Sequence, residues 1–453
     1  MKYEARESNT LADKNLSDNA LFDTTLKQGQ DTLHTRRNIR LNSVLTLVAN
    51  AALALSNWSM FILIAKHYSS EALGSFVLAL SIASTGLLLS SFKLRTLLIV
   101  DVEWKYSIES YAMSRVLANS VVTLLCVTVA SLWFSEISGG IFFSVLAYKL
   151  VDSASEFCHS YARRNDHFDY VTKVLVFKSV VSIITIALFS IFNFSLFILL
   201  LSWLCVVFVF ALYDMLFIRK LLQHHSTDSF TWSRFMSRRA VDESFGIFSR
   251  HKTIAIGLVV SALFVYLPNF MLTKLDSLAS AGIFASISYF LVAGGIVINS
   301  LSQAATPTLT RYITSHSYEA FSKLTLKLCL MGAGLGVIGV VISYFFGAFF
   351  LELFYTPEVA KYSTTLTLVM LAALIRYIYI FIGTSLSVLH QFGVQTNIYL
   401  AGLFTLFFAG LYLIPAYGLL GVGWSFVVAT TVELILFIHA SFKIFALPKR
   451  LAS

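Results

Sequence analysis

Three basic residues lie deep inside apolar stretches of the sequence, at Lys149, Lys178 and Arg376. A charge at the centre of a membrane helix costs at least about 2.5–3.5 kcal/mol, so such a side chain rarely faces lipid. The three cations therefore predict a polar cavity inside a helix bundle, where they would bind an anionic substrate. Arg376 is the strongest candidate, because it lies near the middle of its stretch and a guanidinium can bind phosphate through two parallel hydrogen bonds. Lys178 could instead extend toward the nearer membrane surface.

Lys149 shares its apolar stretch with two carboxylates, Asp152 and Glu156. Spacings of three and seven residues place all three side chains on one face of a helix. Two interpretations stay open: the face lines the cavity, or its charges form ion pairs that hold helices together. Both require the face to point away from lipid. In the second interpretation Lys149 is neutralised by its own helix neighbours.

Further basic residues cluster where the second predicted helix ends and the third begins, at Lys93, Arg95 and Arg115. They predict either a cationic vestibule at the cytoplasmic entrance of the cavity or anchors of the positive-inside type. Glu433 lies about half-way along the last apolar stretch. It could bind a coupling proton or Na⁺, or pair with a cation such as Arg376. Because the cations outnumber the carboxylates, the cavity should be net positive and favour an anion over a cationic drug.

The sequence carries no signature of catalysis or of cofactor binding. It has no Walker-type phosphate loop, no metal-ligand cluster and no nucleophile–base pattern, and its four cysteines stand singly in apolar stretches. We therefore expect a protein that is not an enzyme and that holds no cofactor or metal. Transport would draw its energy from a proton or sodium gradient, or from consumption of the substrate on the far side. Candidate residues for ion coupling or charge pairing are Asp152, Glu156 and Glu433.

These charged residues stand in a strongly apolar chain. Of its 453 residues, 57% are hydrophobic and 13% are charged, against about 25% charged residues in soluble proteins. Apolar stretches of about 20 residues predict membrane helices, so the expected fold class is an all-α polytopic membrane protein. Twelve stretches have this character: 41–65, 73–98, 112–134, 138–160, 169–192, 194–217, 253–275, 279–300, 324–349, 363–387, 394–416 and 419–443.

The distribution of Lys and Arg predicts the orientation of the chain. Basic residues concentrate on the side of the N-terminus, whereas the short loops of the other side hold only Lys66, Lys274 and Lys361. By the positive-inside rule both termini are therefore cytoplasmic. The predicted segments are a polar cytoplasmic tail 1–40, a first six-helix bundle 41–217, a basic cytoplasmic loop 218–252, a second six-helix bundle 253–445 and a cytoplasmic tail 446–453.

An internal repeat relates the two bundles. At an offset of 208 residues, Lys66 aligns with Lys274 and Gly74 with Gly282, and the register holds across the first three helices of each half. Six helices per repeat give both halves the same orientation, so the axis that relates them runs along the membrane normal. Transporters with such parallel repeats hold the substrate in a central cavity and alternate access by rocking one half against the other.

The sequence resembles the Wzx-type polysaccharide flippases of the multidrug/oligosaccharidyl-lipid/polysaccharide (MOP) exporter superfamily over about residues 40–445. One similarity is the stretch 72–82 (ALGSFVLALSI), which runs into Lys93–Leu94–Arg95 and Asp101, as in the second helix of that family. Another is 414–424 (IPAYGLLGVGW), similar to the turn between the family's last two helices. The third is the plan of twelve helices in two halves with a basic middle loop.

The resemblance implies translocation of undecaprenyl-diphosphate-linked oligosaccharide repeat units across the bacterial inner membrane, for lipopolysaccharide O-antigen or capsule. It implies membrane lipids and other polysaccharide-assembly membrane proteins as partners, and no nucleic acid. A cationic lumen would hold the diphosphate and acidic sugars, in agreement with Lys149, Lys178 and Arg376. Two alternatives remain. An ion-coupled multidrug exporter of the same superfamily would rely on membrane carboxylates, and a membrane polysaccharide polymerase or ligase would need a larger far-side loop.

Overall fold

The computed structural model of the protein describes residue 42 and residues 44–91, 106–134, 136–224 and 231–451. The first half of this chain holds six long helices: α1 Val44–His67, α2 Ser70–Ser91, α3 Ile108–Trp133, α4 Gly139–Arg164, α5 Phe168–Ile191 and α6 Leu196–His224. The second half holds six more: α7 Arg238–Leu275, α8 Leu278–Thr314, α9 Tyr318–Phe354, α10 Ser363–Val388, α11 Phe392–Tyr417 and α12 Leu419–Leu451. One-turn helices, Trp232–Phe235 and Pro357–Ala360, precede α7 and α10.

These twelve helices confirm the predicted polytopic all-α fold for the part of the chain that the structure describes. Ten of them are long and apolar enough to cross a membrane. The other two are α4, which carries Lys149, Asp152 and Glu156, and α7, in which Ala262–Leu275 forms a shorter apolar segment. The interior of a membrane contains no water that could hydrogen-bond to the backbone. A spanning segment therefore forms a helix, in which the backbone N–H and C=O groups hydrogen-bond to each other.

The segment between the two halves is more helical than the sequence predicts. Where the loop 218–252 was expected, α6 continues to His224 and α7 already begins at Arg238. The added turns of α7 pack on α3, where the Ser110 hydroxyl donates a 2.6 Å hydrogen bond to Glu243. Apolar stretches predict only the membrane portion of a helix, and its charged ends can continue outside the bilayer.

The C-terminal boundary differs in the same way, since α12 runs to Leu451 through most of the predicted tail 446–453. The predicted N-terminal tail 1–40 and the predicted vestibule residues Lys93 and Arg95 lie outside the described residues. Of the three predicted vestibule residues, the structure therefore places Arg115 alone.

The helix boundaries extend the internal repeat beyond the three helices in which the sequence reveals it. The ends of α1 and α7, and the starts of α2 and α8, lie 208 residues apart. The starts and ends of α4 and α10 lie 224 residues apart, and so do the starts of α5 and α11. The offset changes because α9 is longer than α3 and a one-turn helix follows it. Asp152 and Arg376 consequently occupy equivalent positions in the two halves.

The two halves meet at α2 and α8, where Gly74 and Gly282 face each other. A Cβ atom on Gly282 would lie 2.7 Å from the backbone nitrogen of Gly74, so the two backbones are in direct contact at this point. Small residues permit such close approach of membrane helices. Residues related by a repeat touch each other only near the axis that relates them, so this contact supports the parallel repeat predicted from the alignment.

A single residue, Gly418, joins α11 to α12 within the stretch 414–424 quoted above. Its φ of +56° lies in the left-handed region, where a Cβ atom is disfavoured. The Gly418 amide donates a 2.7 Å hydrogen bond to the Ile414 carbonyl and so ends α11.

Candidate functional site

A central cavity of about 190 Å³ lies between the two halves, lined by residues of α1, α2, α4, α6, α7 and α8. Its wall combines aromatic rings, neutral polar side chains and an ammonium group. The polar and ionic groups among the lining residues are Asn57, Ser81, Tyr148, Lys149, Tyr266, Asn269, Ser288 and Tyr289. Both halves contribute, as expected for a carrier built from parallel repeats.

Lys149 is the cation that α4 contributes to the central cavity. Its ammonium lies 5.6 Å from the ring centroid of Tyr148, and that ring stacks on Trp203 of α6 at 3.7 Å. No carboxylate of the described residues lies within 4.0 Å of the ammonium. Asp152 and Glu156 thus form no direct ion pair with Lys149, although Asp152 lies close enough to interact with it electrostatically.

Both carboxylates of α4 instead pair with cations of neighbouring helices. Lys178 of α5 donates a 2.8 Å hydrogen bond to Asp152, and Arg115 of α3 lies 3.1 Å from Glu156. Lys178 and Arg115 are 4% and 7% exposed. These contacts match the charge-pairing interpretation and hold α3, α4 and α5 together. Lys178 and Arg115 are not among the residues that line the central cavity, and their contact with a substrate stays a prediction.

Asp152, Glu156 and Lys178 surround a smaller cavity of about 40 Å³ inside the first half. His159 and Arg163 of α4 and Asn50 of α1 complete its polar wall. These groups thus face one another, and in contrast to Lys149 they are not among the residues that line the central cavity.

Arg376 lies in a third cavity, of about 440 Å³, enclosed by α8, α10 and α11. Hydroxyl and amide groups form much of its wall: Asn299, Ser302, Tyr377, Thr384, Ser387, Gln395 and Tyr399. The guanidinium carbon lies 5.2 Å from the ring centroid of Phe264, and no described carboxylate is within 4.0 Å of the guanidinium. Val292 lines both this cavity and the central one, so the two adjoin.

Glu433 of α12 is 1% exposed and accepts a hydrogen bond from the Tyr379 hydroxyl of α10. Its carboxyl packs against Gly402 of α11, at a position that any Cβ atom would occupy. The described contacts contain no ion pair between Glu433 and Arg376 within 4.0 Å, but the two charges lie close enough to interact electrostatically. A role for Glu433 in ion coupling stays a prediction.

Sequence reasoning missed a buried histidine–carboxylate contact in the first half. The His159 Nε2 atom of α4 lies 3.0 Å from the Asp214 Oδ2 atom of α6. His159 is seven residues from Asp152 and therefore on the same helix face, which is the signal that could have identified it. Across the described residues, no group of three or more His, Cys, Asp or Glu side chains could hold a metal ion.

No protein-family model matches the sequence. A relative from Staphylococcus aureus, named capsular polysaccharide biosynthesis protein CapF, is 25% identical over 400 residues, which are 88% of this chain and 98% of that protein. Among solved structures, a multidrug resistance MATE family transporter of the MOP superfamily in an inward-facing conformation matches 88% of this chain and 96% of its own, with a TM-score of 0.69 and 12% identity.

The lipid II flippase MurJ, in an inward closed conformation, matches 90% of this chain and 89% of its own, with a TM-score of 0.66 and 13% identity. The chain has the fold of the MOP superfamily. The predicted resemblance is thus confirmed, and the protein is a multi-pass membrane protein. The MOP-fold proteins named here are transporters and a flippase, not enzymes.

Within this MOP fold, the two aligned lysines connect the halves at one end of the bundle. We call it the outer end, following the orientation predicted from the Lys and Arg distribution. Lys66 of α1 donates a 2.8 Å hydrogen bond to the Leu353 carbonyl in the last turn of α9. Lys274 of α7 donates a 2.9 Å hydrogen bond to Glu136, between α3 and α4. Each lysine therefore reaches from its own half to the other.

Aromatic and neutral polar contacts reinforce this connection at the outer end. The Trp58 indole of α1 donates a 3.0 Å hydrogen bond to the Tyr355 hydroxyl, which follows α9. Phe134 and Phe270 pack with their ring centroids 5.7 Å apart. These contacts, together with the two lysines, hold the halves against each other on the outer side of the central cavity.

Replacing both lysines by glutamine is expected to open the outer end more often. Exposed polar pairs contribute about 0.2–1 kcal/mol each, so losing both should raise the open fraction by roughly two- to thirtyfold. A cysteine at Ser288, which lines the central cavity, reports this opening through its reaction with an impermeant maleimide on either side of sealed vesicles. Cys205→Ala removes the exposed native thiol, and Lys361→Gln at the same end is the matched control. Unchanged labelling from both sides would contradict the role of Lys66 and Lys274 in keeping the outer end closed.

Acidification should loosen the same contact. The hydrogen bond from Lys274 holds the pKa of the Glu136 carboxyl below its usual value, which is about 4.3. A carboxyl with a lowered pKa stabilises the closed form above its usual pKa and loses that contribution as the pH falls through the lowered one. Because the thiol–maleimide reaction slows equally on both sides at low pH, the measured quantity is the ratio of outer-side to inner-side labelling of the Ser288→Cys protein. This ratio should rise below about pH 4, and Glu136→Gln should abolish that step.

Proposed function

We propose that this protein translocates undecaprenyl-diphosphate-linked oligosaccharide repeat units across the bacterial inner membrane, with both termini in the cytoplasm. One observation carries the proposal. Lys149 and Arg376 line adjoining cavities, and no described carboxylate lies within 4.0 Å of either. A charge with no counter-ion in direct contact is costly in the membrane interior, so an anion that enters between the two cations stabilises the arrangement.

The two cavities suit different parts of such a substrate. Lys149 and Arg376 can neutralise a diphosphate through charge-assisted hydrogen bonds. The hydroxyl and amide groups around Arg376 can donate to and accept from sugar hydroxyls. Rocking of the halves about the Gly74–Gly282 contact would expose the central cavity to one side at a time. The names of the two relatives, a capsular polysaccharide biosynthesis protein and a lipid II flippase, support a lipid-linked glycan as substrate.

A multidrug exporter is the second candidate, because a MATE transporter shares the fold. The charge of the cavities disfavours it. Neither the central cavity nor the Arg376 cavity has an Asp or Glu among its described lining residues, whereas each contains a cation. A positive potential attracts anions and repels cationic drugs.

Deletion of the gene in its native bacterium tests the proposal. We expect loss of the surface polysaccharide and accumulation of undecaprenyl-diphosphate-linked oligosaccharide on the cytoplasmic leaflet, measured by mass spectrometry of lipid extracts and by leaflet-selective lectin labelling of vesicles. A plasmid copy of the wild-type gene should restore export, and the empty plasmid should not. Normal surface polysaccharide with no trapped intermediate would contradict the proposal. Altered drug susceptibility alone would favour the multidrug exporter.

A further inference from the structure

The contact between His159 and Asp214 is the most deeply buried pairing of a carboxylate with a basic side chain in the described part of the chain. The side chains are 6% and 1% exposed, and the Nε2 and Oδ2 atoms lie 3.0 Å apart. The second carboxylate oxygen, Oδ1, accepts a 2.9 Å hydrogen bond from the Tyr170 hydroxyl of α5. The two atoms are in ion-pair contact but form no hydrogen bond of good geometry, either with each other or with another described residue. We call these two residues the His159–Asp214 pair.

The ionisable groups around the pair come from every helix packed against it. Helix α4 contributes Asp152, Glu156, Cys158 and Arg163. Helix α5 contributes Tyr170 and Lys178, and α6 contributes Tyr213. Arg115 of α3 belongs to the same charged region. Lys178 forms an ion pair with Asp152, and Arg115 forms one with Glu156. Within the described residues, His159 is thus the sole basic side chain within 4.0 Å of Asp214.

A buried carboxylate without a counter-ion is strongly disfavoured. When the imidazole is neutral and Asp214 is ionised, the pair carries one uncompensated negative charge. One added proton removes that charge, either by forming an imidazolium–carboxylate ion pair or by neutralising the acid. The 3.0 Å separation of nitrogen and oxygen places the two groups in ion-pair contact.

We propose that the His159–Asp214 pair is a proton-binding site whose occupancy favours the packed arrangement of α4 and α6 seen here. His159 also lines the 40 Å³ cavity of the first half, which has room for a few water molecules and so for proton exchange. When α4 and α6 separate and water solvates Asp214, the pair no longer needs the proton and releases it. This inference rests on the proposed function in one respect: in a flippase, the site would couple substrate movement to a proton gradient.

The chemistry of the pair selects a proton over sodium. Hard cations such as Na⁺ require several oxygen ligands, whereas an imidazole nitrogen suits protons and transition metals. The oxygen atoms in hydrogen-bonding or ion-pair contact with the pair come from Asp214 and Tyr170, and Nε2 faces the carboxylate directly. Sodium ions at constant pH should therefore leave the conformation unchanged.

The test measures the conformation of the substrate-free protein as a function of pH. The Ser288→Cys reporter in the Cys205→Ala background gives the ratio of labelling from the two sides of sealed vesicles between pH 5 and 8. Binding of one proton allows at most about a tenfold change in this ratio per pH unit, and we expect a clear dependence in the wild-type background. His159→Gln and Asp214→Asn should each remove it. Asp214→Glu should retain it, and His167→Gln, a partly buried histidine at the start of α5, is the matched control.

A spectroscopic measurement on the wild-type chain needs no variant at the pair. In ¹⁵N-histidine and ¹³C-aspartate labelled protein, the nitrogen–carbon dipolar coupling identifies the ring of His159 through its contact with Asp214. In the packed arrangement we expect one proton on the pair, seen as an imidazolium or as a protonated carboxyl. A neutral ring beside an ionised carboxylate would overturn the inference, and so would a pH response that survives both His159→Gln and Asp214→Asn.

A transport assay distinguishes a failure of the proton site from a failure of the proposed flippase function. The probe is a fluorescent undecaprenyl-diphosphate-linked N-acetylglucosamine, and its translocation in proteoliposomes is read by dithionite quenching under a proton gradient or a sodium gradient. A wild-type protein that changes conformation with pH but never moves the probe would contradict the flippase and leave the proton site standing. Translocation that responds to the proton gradient equally in the wild type and His159→Gln would contradict the proton site and leave the flippase standing.

Discussion

Arg376→Ala is expected to reduce translocation of a diphosphate-linked glycan by roughly ten- to 150-fold while the protein still inserts and folds. A hydrogen bond to a charged group contributes about 1.5–3 kcal/mol. This guanidinium lies in a cavity where no described carboxylate within 4.0 Å competes with the substrate for it. The abundance of the variant in the membrane should stay normal, and the defect should appear in transport.

The controls distinguish charge from guanidinium geometry. Arg376→Lys keeps the charge but loses the two parallel hydrogen bonds, so translocation should fall to an intermediate value. Arg311→Ala removes an exposed arginine from the last turn of α8 and should change little. Lys149→Met should show a defect of the same kind, because its ammonium lines the adjoining cavity. Full translocation by Arg376→Ala, at normal abundance in the membrane, would remove Arg376 from the site.

The helices could be predicted from the sequence because each one reflects a local requirement. A stretch of about 20 apolar residues is long enough to cross the bilayer and must satisfy its backbone internally. The repeat could be detected for the same local reason over α1–α3, where Gly74 and Gly282 keep one offset. Beyond α3 a longer α9 and a one-turn helix change the offset, and an alignment without gaps cannot follow it.

The pairing of the charges could not be predicted, because the partners come from different helices. The spacing of Lys149, Asp152 and Glu156 correctly puts them on one broad face of α4. It does not reveal that Asp152 forms its ion pair with Lys178, which lies 26 residues after it in the sequence. The contact of Asp214 with His159 spans 55 positions between α4 and α6, so neither residue signals the other in the sequence. A helix pattern tells which side chains share a face, and the packing of neighbours decides which of them stay unpaired.

The difference between the halves follows from this packing and bears on mechanism. Asp152 and Arg376 occupy equivalent positions of α4 and α10, yet the first is paired with Lys178 and the second lines a cavity with no described carboxylate within 4.0 Å. Most charges of the first half form ion pairs with one another, whereas Arg376 in the second half and Lys149 at the boundary have no described carboxylate within 4.0 Å. An anion would therefore be held mainly by the second half and by Lys149, and the ion pairs of the first half would keep its helices together as it moves.

Lys178→Met is the variant with the largest expected effect on stability. Removing one partner of a buried ion pair destabilises a protein by about 3–5 kcal/mol, because the other charge stays buried without compensation. Lys178 is 4% exposed and donates a 2.8 Å hydrogen bond to Asp152. In Lys178→Met the Asp152 carboxylate would have to take up a proton or draw water into the small cavity. The midpoint of chemical unfolding in detergent micelles should fall accordingly.

The double variant Lys178→Met/Asp152→Leu decides between a structural and a substrate-binding role for Lys178. Removing both charges restores an apolar contact of similar volume, and such replacements are often neutral or stabilising. Most of the lost stability should therefore return, with a coupling energy between the two sites well above the few tenths of a kcal/mol seen for independent positions. Lys173→Met, which disrupts an exposed ion pair with Asp169 on the same helix, is the matched control and should cost under about 1 kcal/mol. If the stable double variant also translocates the probe normally, Lys178 serves to neutralise Asp152, and if stability returns without transport, at least one charge of the pair takes part in transport itself.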